Sequence, residues 1–284
     1  MTYRLFDRDY RVRVDTIEVS ELDVAFDIVR TVKRQPNTSS VRIYNLSPEH
    51  QKQIENLSLR EKSGTTTTRT GGKIRVEIEA GYVGSRSLIF RGDLRFAETK
   101  QEGSDYVTSI EGDDGGHSAL TATVSRSFPA GTSVATVVRA CAQALGVGQG
   151  NLADLEASLR TEAGNTFTAG TTLFGPADKE LDRVLRSCSF RYSIQSGNLQ
   201  ITRPNRPLQV TAVLLTSNEI ERPTANPDGT LEVVAPILPD LYPGGRVQLE
   251  TASKQGLYGI VEVNYVGDTS SDAQDWYARL RLKA

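Results

Sequence analysis

Apolar and polar residues alternate with a period of two through much of the first 125 residues. Apolar side chains occupy every second position from Leu22 to Ile28, from Val41 to Ile43 and from Ile74 to Ala80. Strict alternation is typical of antiparallel strands that bury one face and expose the other. Further strands are predicted at Arg11–Val14, Ser87–Arg91, Tyr106–Glu111 and Leu120–Ser125. Several short strands separated by turn residues favour a β-barrel or sandwich.

One helix is predicted inside this β region, at residues 48–57. Ser47 is a good N-cap and Pro48 suits the first helical position. Residues 59–72 follow, a polar stretch that contains four consecutive threonines and ends in two glycines. Because this stretch has no apolar period, it is predicted to be a long loop, of the kind that can contact a neighbouring subunit.

The pattern changes to helical spacing after Pro129. Apolar residues at Val134, Val137, Val138, Cys141 and Leu145 predict a helix that Thr132 could cap at its start and Gly146 at its end. Two more helices are predicted at residues 152–159 and 177–188. A hairpin with its turn at residues 196–198 follows, and β patterning resumes at residue 209 after two prolines.

The predicted fold is therefore mainly β with a small α+β insert. An N-terminal β-barrel domain is expected at residues 1–127, the α+β insert at residues 128–205 and a C-terminal β-barrel domain at residues 206–284. The chain of 284 residues is long enough for about two domains. Both cysteines, Cys141 and Cys188, fall on predicted apolar helix faces, which favours buried thiols over a disulfide.

Charge and hydropathy exclude several classes of function. The chain has 33 basic and 35 acidic residues, a formal net charge of -2, whereas a general nucleic-acid binder needs a basic surplus. No run approaches the ~18 apolar residues of a membrane span, and residues 1–8 lack the apolar core of a signal peptide. Membrane insertion is not expected, and the protein is expected to be made in a reducing cytoplasm.

Three segments contain residue types that could support chemistry. Residues Asp113–His117 combine two carboxylates with one of the two histidines, but their two glycines favour a turn over a metal site. Ser133 lies in a near match to a nucleophile elbow, yet no strand leads into it and a helix cap suits it better. Residues 146–150 are glycine-rich but follow a helix, so a flexible connector is favoured over a phosphate-binding loop. The other histidine, His50, is expected to be exposed. No catalytic, cofactor-binding or metal-binding residue is assigned, and no enzymatic activity is expected.

Four segments, taken in order, resemble one known family. They are Val41–Ser47, the pair Ile74–Tyr82 and Ile89–Leu94, the helix and hairpin of Leu181–Ile201, and the C-terminal set from Leu238 to Tyr277. Together they resemble the baseplate hub proteins of contractile-tailed bacteriophages. The resemblance implies a homotrimer in which each copy contributes two similar β-barrels, so that a pseudo-sixfold ring surrounds the DNA channel.

The resemblance also implies partners and a location. Such a hub joins the tail tube, or a tube-adaptor protein, to the central spike protein. Wedge and tape-measure proteins are further candidate partners. DNA would be only passing cargo, and no cofactor is implied. The protein would lie in the virion baseplate after assembly in the host cytoplasm. Two alternatives remain: a hexameric distal tail or tube-adaptor ring, and a cell-wall hydrolase or peptidase domain of a tail.

Overall fold

The computed structural model describes residues 7–59, 74–116, 121–160, 165–204, 206–208, 210–270 and 274–284. Strand accounts for 50% and helix for 18% of the structure, which confirms the mainly-β class. The chain divides into two compact units. Unit 1 comprises Met1–Arg30, Asn37–Asp113 and Leu208–Ala284, and unit 2 comprises Thr31–Pro36 and Asp114–Pro207.

Unit 1 is built on one 13-stranded sheet and contains helix α1 (Pro48–Leu59). Its first seven strands are β1 (Arg8–Val14), β2 (Ile17–Val19), β3 (Val24–Thr31), β4 (Asn37–Tyr44), β5 (Arg75–Tyr82), β6 (Ser87–Glu102) and β7 (Asp105–Asp114). Its other six strands come after unit 2 in the chain. They are β12 (Val213–Thr216), β13 (Thr224–Ala225), β14 (Leu231–Ala235), β15 (Arg246–Glu250), β16 (Gln255–Asp268) and β17 (Trp276–Lys283).

The two ends of the chain share this sheet. The strand order is β13-β14-β17-β16-β3-β4-β7-β6-β5-β1-β2, with β15 paired to β16 and β12 paired to β15. Pairing of β16 with β3 therefore joins the C-terminal strands to the N-terminal ones. The period-two pattern explains the core, because the apolar positions of each strand point inward and form one hydrophobic cluster.

The junction between the two halves of this sheet is closely packed. The rings of Phe26 on β3 and Trp276 on β17 meet edge to face, with centroids 5.4 Å apart. Nε1 of Trp276 donates a hydrogen bond to the carbonyl oxygen of Gly81, 3.1 Å away. Gly267 lies so close to Phe26 that an added Cβ would be 2.2 Å from the ring. A glycine is thus required there for the aromatic pair to pack.

Unit 2 is a small α+β module with its own core. Its elements are β8 (Thr123–Phe128), α2 (Val134–Leu145), α3 (Leu152–Arg160), β9 (Thr171–Pro176), α4 (Ala177–Ser187), β10 (Arg191–Gln195) and β11 (Asn198–Thr202). Strands β8 and β9 form one antiparallel ribbon and β10 and β11 another. Helices α2 and α4 pack together, and their apolar faces supply much of the buried cluster.

Several local predictions need correction. Helix α2 is capped by Ser133, whose side chain accepts a hydrogen bond from the Thr136 amide at 3.2 Å, and not by Thr132. Cys188 is the C-cap of α4 and is half-buried, whereas Cys141 is buried as predicted; both thiols are free. Strand β6 ends at Glu102, 11 residues beyond its predicted end at Arg91. The prediction stopped too early because a register shift between Leu94 and Phe96 interrupts the alternation of apolar and polar residues.

The predicted division into domains at residues 1–127, 128–205 and 206–284 remains a prediction. The two closed β-barrels also remain a prediction. The predicted loop at residues 59–72 lies outside the described residues except for Leu59, which ends helix α1. Among the described helices, none combines the length and the apolar character that crossing a lipid bilayer requires.

Candidate assembly surface

The loop before β15 is held tightly against β16. Residues 238–245 contain Leu238 and Leu241, which are both buried. Gly244 donates its amide to the carbonyl of Ile260 at 2.7 Å, and the amide of Ile260 donates to Gly245 at 2.9 Å. The hydroxyl of Tyr265 donates to the carbonyl of Leu241. This loop therefore fixes the positions of the last strands and the side chains that they expose.

Two exposed leucines lie in one row across the outer face of β12, β15 and β16. Leu214 is paired in register with Gln248, and Gln248 with Leu257. Cross-strand partners project on the same side of a sheet, so the three side chains form a continuous row. Leu214 is 49% exposed and Leu257 is 43% exposed. The two leucines flank Gln248 on β15, and exposed leucines this close together are typical of a surface that another molecule covers.

Strand β12 also has an unprotected edge. In the described sheet it pairs only with β15, in parallel. The segment from Val210 to Thr216 reads VTAVLLT and contains neither a charged residue nor a proline. Natural sheet edges are usually kept from pairing with other chains by charges, proline or short length. Charges and proline are absent from this segment, although β12 itself is only four residues long.

The two ends of the main strand order differ from β12 in this respect. Strand β2 has three residues and contains Glu18 at its centre. Strand β13 has two residues and lies between Pro223 and Pro227. Both ends are therefore protected, which leaves β12 as the edge best suited to pair with another chain. Sequence reasoning missed Leu214 and Leu257, although the uncharged run was visible in the sequence.

A second surface feature is a network of ion pairs across β1, β5 and β6. Arg11 lies 2.5 Å from Glu79, and Arg86 contacts Glu79 at 3.1 Å and Asp9 at 2.7 Å. One row further along, Glu77 accepts from Arg91 at 2.7 Å and also pairs with Arg13. These alternating charges fix the register of the three strands.

The network shifts the proton affinity of its members in opposite directions. The hydrogen bond from Arg11 lowers the pKa of the Glu79 carboxyl, and the positive charges of Arg11 and Arg86 act in the same direction. The hydrogen bond to Glu79 correspondingly raises the pKa of Arg11. Arg91 and Arg95, both on β6, are also paired with carboxylates. They leave no arginine stripe on this face for a nucleic acid backbone.

The carboxylates of the Asp113–His117 segment have structural partners. Arg95 lies 3.1 Å from Asp113. Buried Asp114 accepts hydrogen bonds from the backbone amides of Ser196 and Gly197, the latter at 2.8 Å. Asp114 therefore anchors the turn of the β10–β11 hairpin. His117 lies outside the described residues, and no group of three or more potential metal ligands occurs within the described part of the chain.

The remaining chemical candidates are also used in packing. Ser133 caps α2, as described above. Burial raises the pKa of the Cys141 thiol to about 12, so this thiol is not a nucleophile near neutral pH. His50 is half-buried in the first turn of α1 rather than fully exposed.

The glycine-rich segment at residues 146–150 is held in place and is not the flexible connector that the sequence predicted. The amide of Gly148 donates to Gly197 at 2.9 Å, and the amide of Leu199 donates back to Gly148 at 2.9 Å. An added Cβ at Gly150 would lie 1.7 Å from the carbonyl oxygen of Leu199. These glycines therefore allow close approach to the hairpin.

Comparison with known structures places this fold among tail proteins. The chain is similar to the tail protein from Neisseria meningitidis MC58 (TM-score 0.62, 11% identity), covering 98% of this chain and 97% of that one. The 43 kDa tail protein of prophage MuSo2 from Shewanella oneidensis matches with a TM-score of 0.60, 9% identity and coverage of 96% and 97%. At these identities the likeness shows the fold alone.

A third structure is the E. coli c3393 protein, described as a component of the type VI secretion system with structural similarity to the T4 bacteriophage tail proteins gp27 and gp5. It matches with a TM-score of 0.53 and 9% identity, covering 96% of this chain and 76% of that one. No curated protein matches the chain. The model of the family described as "Baseplate hub gp41" matches residues 8–273. The resemblance noted in the sequence is confirmed: the chain belongs to the baseplate hub gp41 family.

Proposed function

We propose that this protein is the trimeric hub of a phage baseplate, joining the tail tube to the central spike. Membership of the baseplate hub family makes it a structural component of the virion tail. Strands β1–β7 and β12–β17 would form the two barrel-like modules of each copy. Three copies would then present a pseudo-sixfold surface around the DNA channel, which allows a trimer to seat against a sixfold tube.

The single observation that supports a ring most directly is the edge of β12 beside Leu214 and Leu257. An edge without charge or proline, next to exposed leucines, is suited to pairing with a neighbouring subunit. Because a threefold ring uses a heterologous interface, this edge would meet a different surface on the next copy. Self-association of this kind covers the leucines and removes an aggregation hazard.

The proposed partners follow from this role. One face of the ring would contact the tail tube or a tube-adaptor protein and the other the spike, with wedge and tape-measure proteins as further candidates. DNA would pass through without being held, and no cofactor is required. Assembly would take place in the host cytoplasm. A non-enzymatic role is supported by the engagement of Asp113 and Asp114 in an ion pair and in hydrogen bonds to a turn.

The oligomeric state tests this proposal. We expect wild-type protein to have three times its 31.0 kDa chain mass by light scattering coupled to size exclusion. Leu214→Asp and Leu257→Asp should shift it to monomers, since each places a charge in the interface. Val83→Asp is the matched control, because Val83 is 60% exposed but lies in the turn between β5 and β6.

The possible outcomes test the number of subunits and the interface between them separately. Six subunits would favour the distal tail or tube-adaptor alternative, and a monomer at every concentration would contradict both rings. Trimers that persist in the Leu214→Asp variant would leave the hub intact and exclude the β12 edge as its interface. Clearing of bacterial cell walls by purified protein would instead support the hydrolase alternative.

A further inference from the structure

A polar groove opens on the outer face of β14, β17 and β16 in unit 1. It has a volume of about 480 Å³. Its charged lining residues are Asp228, Glu232, Glu262, Arg279 and Arg281, and Asn226 and Asn264 contribute two amides. Neither the ring nor the spike connection described above makes use of these residues.

Two of the three carboxylates in the groove form ion pairs within the described part of the chain, and the third does not. Arg281 pairs with Asp228, and Arg279 lies 3.6 Å from Glu232. Glu262 makes no ion pair with any residue that the structure describes. Three carboxylates and two guanidinium groups give the lining a formal charge of -1, and the surplus belongs to Glu262.

A second group in the groove lacks a partner. The Oδ1 atom of Asn264 is buried, and no described residue donates a hydrogen bond to it. A buried acceptor that is left unsatisfied destabilises the folded state. Such an atom calls for a specific explanation, since most buried polar atoms are bonded to protein or to ordered water.

Glu262 and Asn264 project from the same side of one strand. They are two residues apart on β16, after its register shift, and face Arg281 and Arg279 respectively on β17. Residues at this spacing lie about 7 Å apart along a strand. A planar guanidinium carries five N–H donors in a fixed fork, so it can reach a carboxylate and an amide oxygen together. Val29 and Pro227 supply an apolar lining for the methylene stem.

We propose that this groove binds the guanidinium group of an arginine side chain presented by a different protein. Glu262 provides the charge, and a rotation of the Asn264 side chain would turn its buried Oδ1 toward the same group, from which it would accept a hydrogen bond. A second copy of this chain is a weaker source, because many of its arginines already pair with carboxylates or lie over aromatic rings.

The test uses the full chain and a fluorescein-labelled Gly-Arg-Gly peptide, with Gly-Gln-Gly as the matched peptide. Fluorescence polarisation should show saturable binding of the arginine peptide only. Glu262→Gln should weaken this binding about tenfold, and Asn264→Leu should weaken it several-fold. Glu111→Gln removes the same charge from an exposed position elsewhere on the sheet and should leave binding unchanged.

Thermal unfolding without peptide adds an independent readout. Asn264→Leu should melt at a higher temperature than wild type, because it removes an unsatisfied buried oxygen, while it loses peptide binding. Glu262→Gln should melt close to wild type, which shows that its binding defect is not a folding defect.

Three results would overturn the proposal. Equal binding of the two peptides would show that no guanidinium is recognised. Unchanged binding by Glu262→Gln would place the peptide elsewhere. A fall in the number of subunits of the Glu262→Gln variant would identify a second copy, and not a different protein, as the source. The first two leave the hub function untouched, because it does not depend on this groove.

Discussion

At the scale of single residues, the candidates for chemistry turn out to be structural. Asp114 is a clear case, because its position among Asp, Gly and His residues in sequence suggested a turn or a metal site. The structure instead uses its carboxylate to bind two backbone amides of the β10–β11 turn. These partners are 82 and 83 positions away in the chain, so no local pattern could have identified them.

Replacing Asp114 should therefore destabilise unit 2. Asp114→Ala leaves two amides in the turn without their acceptor, and we expect the free energy of unfolding to fall by about 2–4 kcal/mol. Denaturation by urea, followed by circular dichroism, measures this. Asp113→Ala is the control, since its ion pair with Arg95 lies at a partly exposed site and should contribute no more than about 1 kcal/mol. Equal losses in the two variants would contradict the assigned role.

At the scale of secondary structure, the apolar period located most elements and their buried faces. It located the three helices of unit 2 to within a residue or two at most ends, and their caps only in part. It failed where the period is interrupted, as at the register shift in β6. The apolar period also did not reveal the charge pairs, because Glu79, the partner of Arg11, lies 68 positions away in the chain.

The ion-pair network on β1, β5 and β6 should make stability depend on pH. Since the folded-state pKa of Glu79 is lowered, its ion pairs stabilise the fold above the unfolded pKa, about 4.3. That contribution is lost as the pH falls through the folded-state pKa. We expect the urea midpoint to decline from pH 5 to pH 3, and Glu79→Gln to decline less steeply. Glu111→Gln, at an exposed position, should follow the wild-type curve. Identical slopes for Glu79→Gln and wild type would contradict this account.

At the scale of the whole molecule, the main finding is that both ends of the chain build one sheet. Sequence patterning predicted two separate barrels, because the N-terminal and C-terminal strands lie far apart along the chain. Pairing of β16 with β3 brings them together in unit 1. The aromatic contact between Phe26 and Trp276 packs at this junction.

A larger residue at Gly267 should disturb this junction. Gly267→Ala would bring its Cβ into the Phe26 ring, so we expect a loss of about 1–3 kcal/mol in the free energy of unfolding. Combining it with Phe26→Leu tests the cause, because the smaller side chain makes room for the new methyl group. The double variant should lose less than the sum of the two single variants. Strict additivity would show that the two residues do not interact.

The sequence alone determined the β class, the helices, the buried faces and the resemblance to baseplate hubs. These depend on local periods and on ordered motifs, which lie within short stretches of chain. Only the tertiary structure decided that the two chain ends share one sheet and that Asp114 anchors a turn. It alone also showed that the edge of β12 is unprotected and that Glu262 and Asn264 face one groove. Each of these depends on contacts between residues far apart in sequence, and a one-dimensional pattern does not specify such contacts.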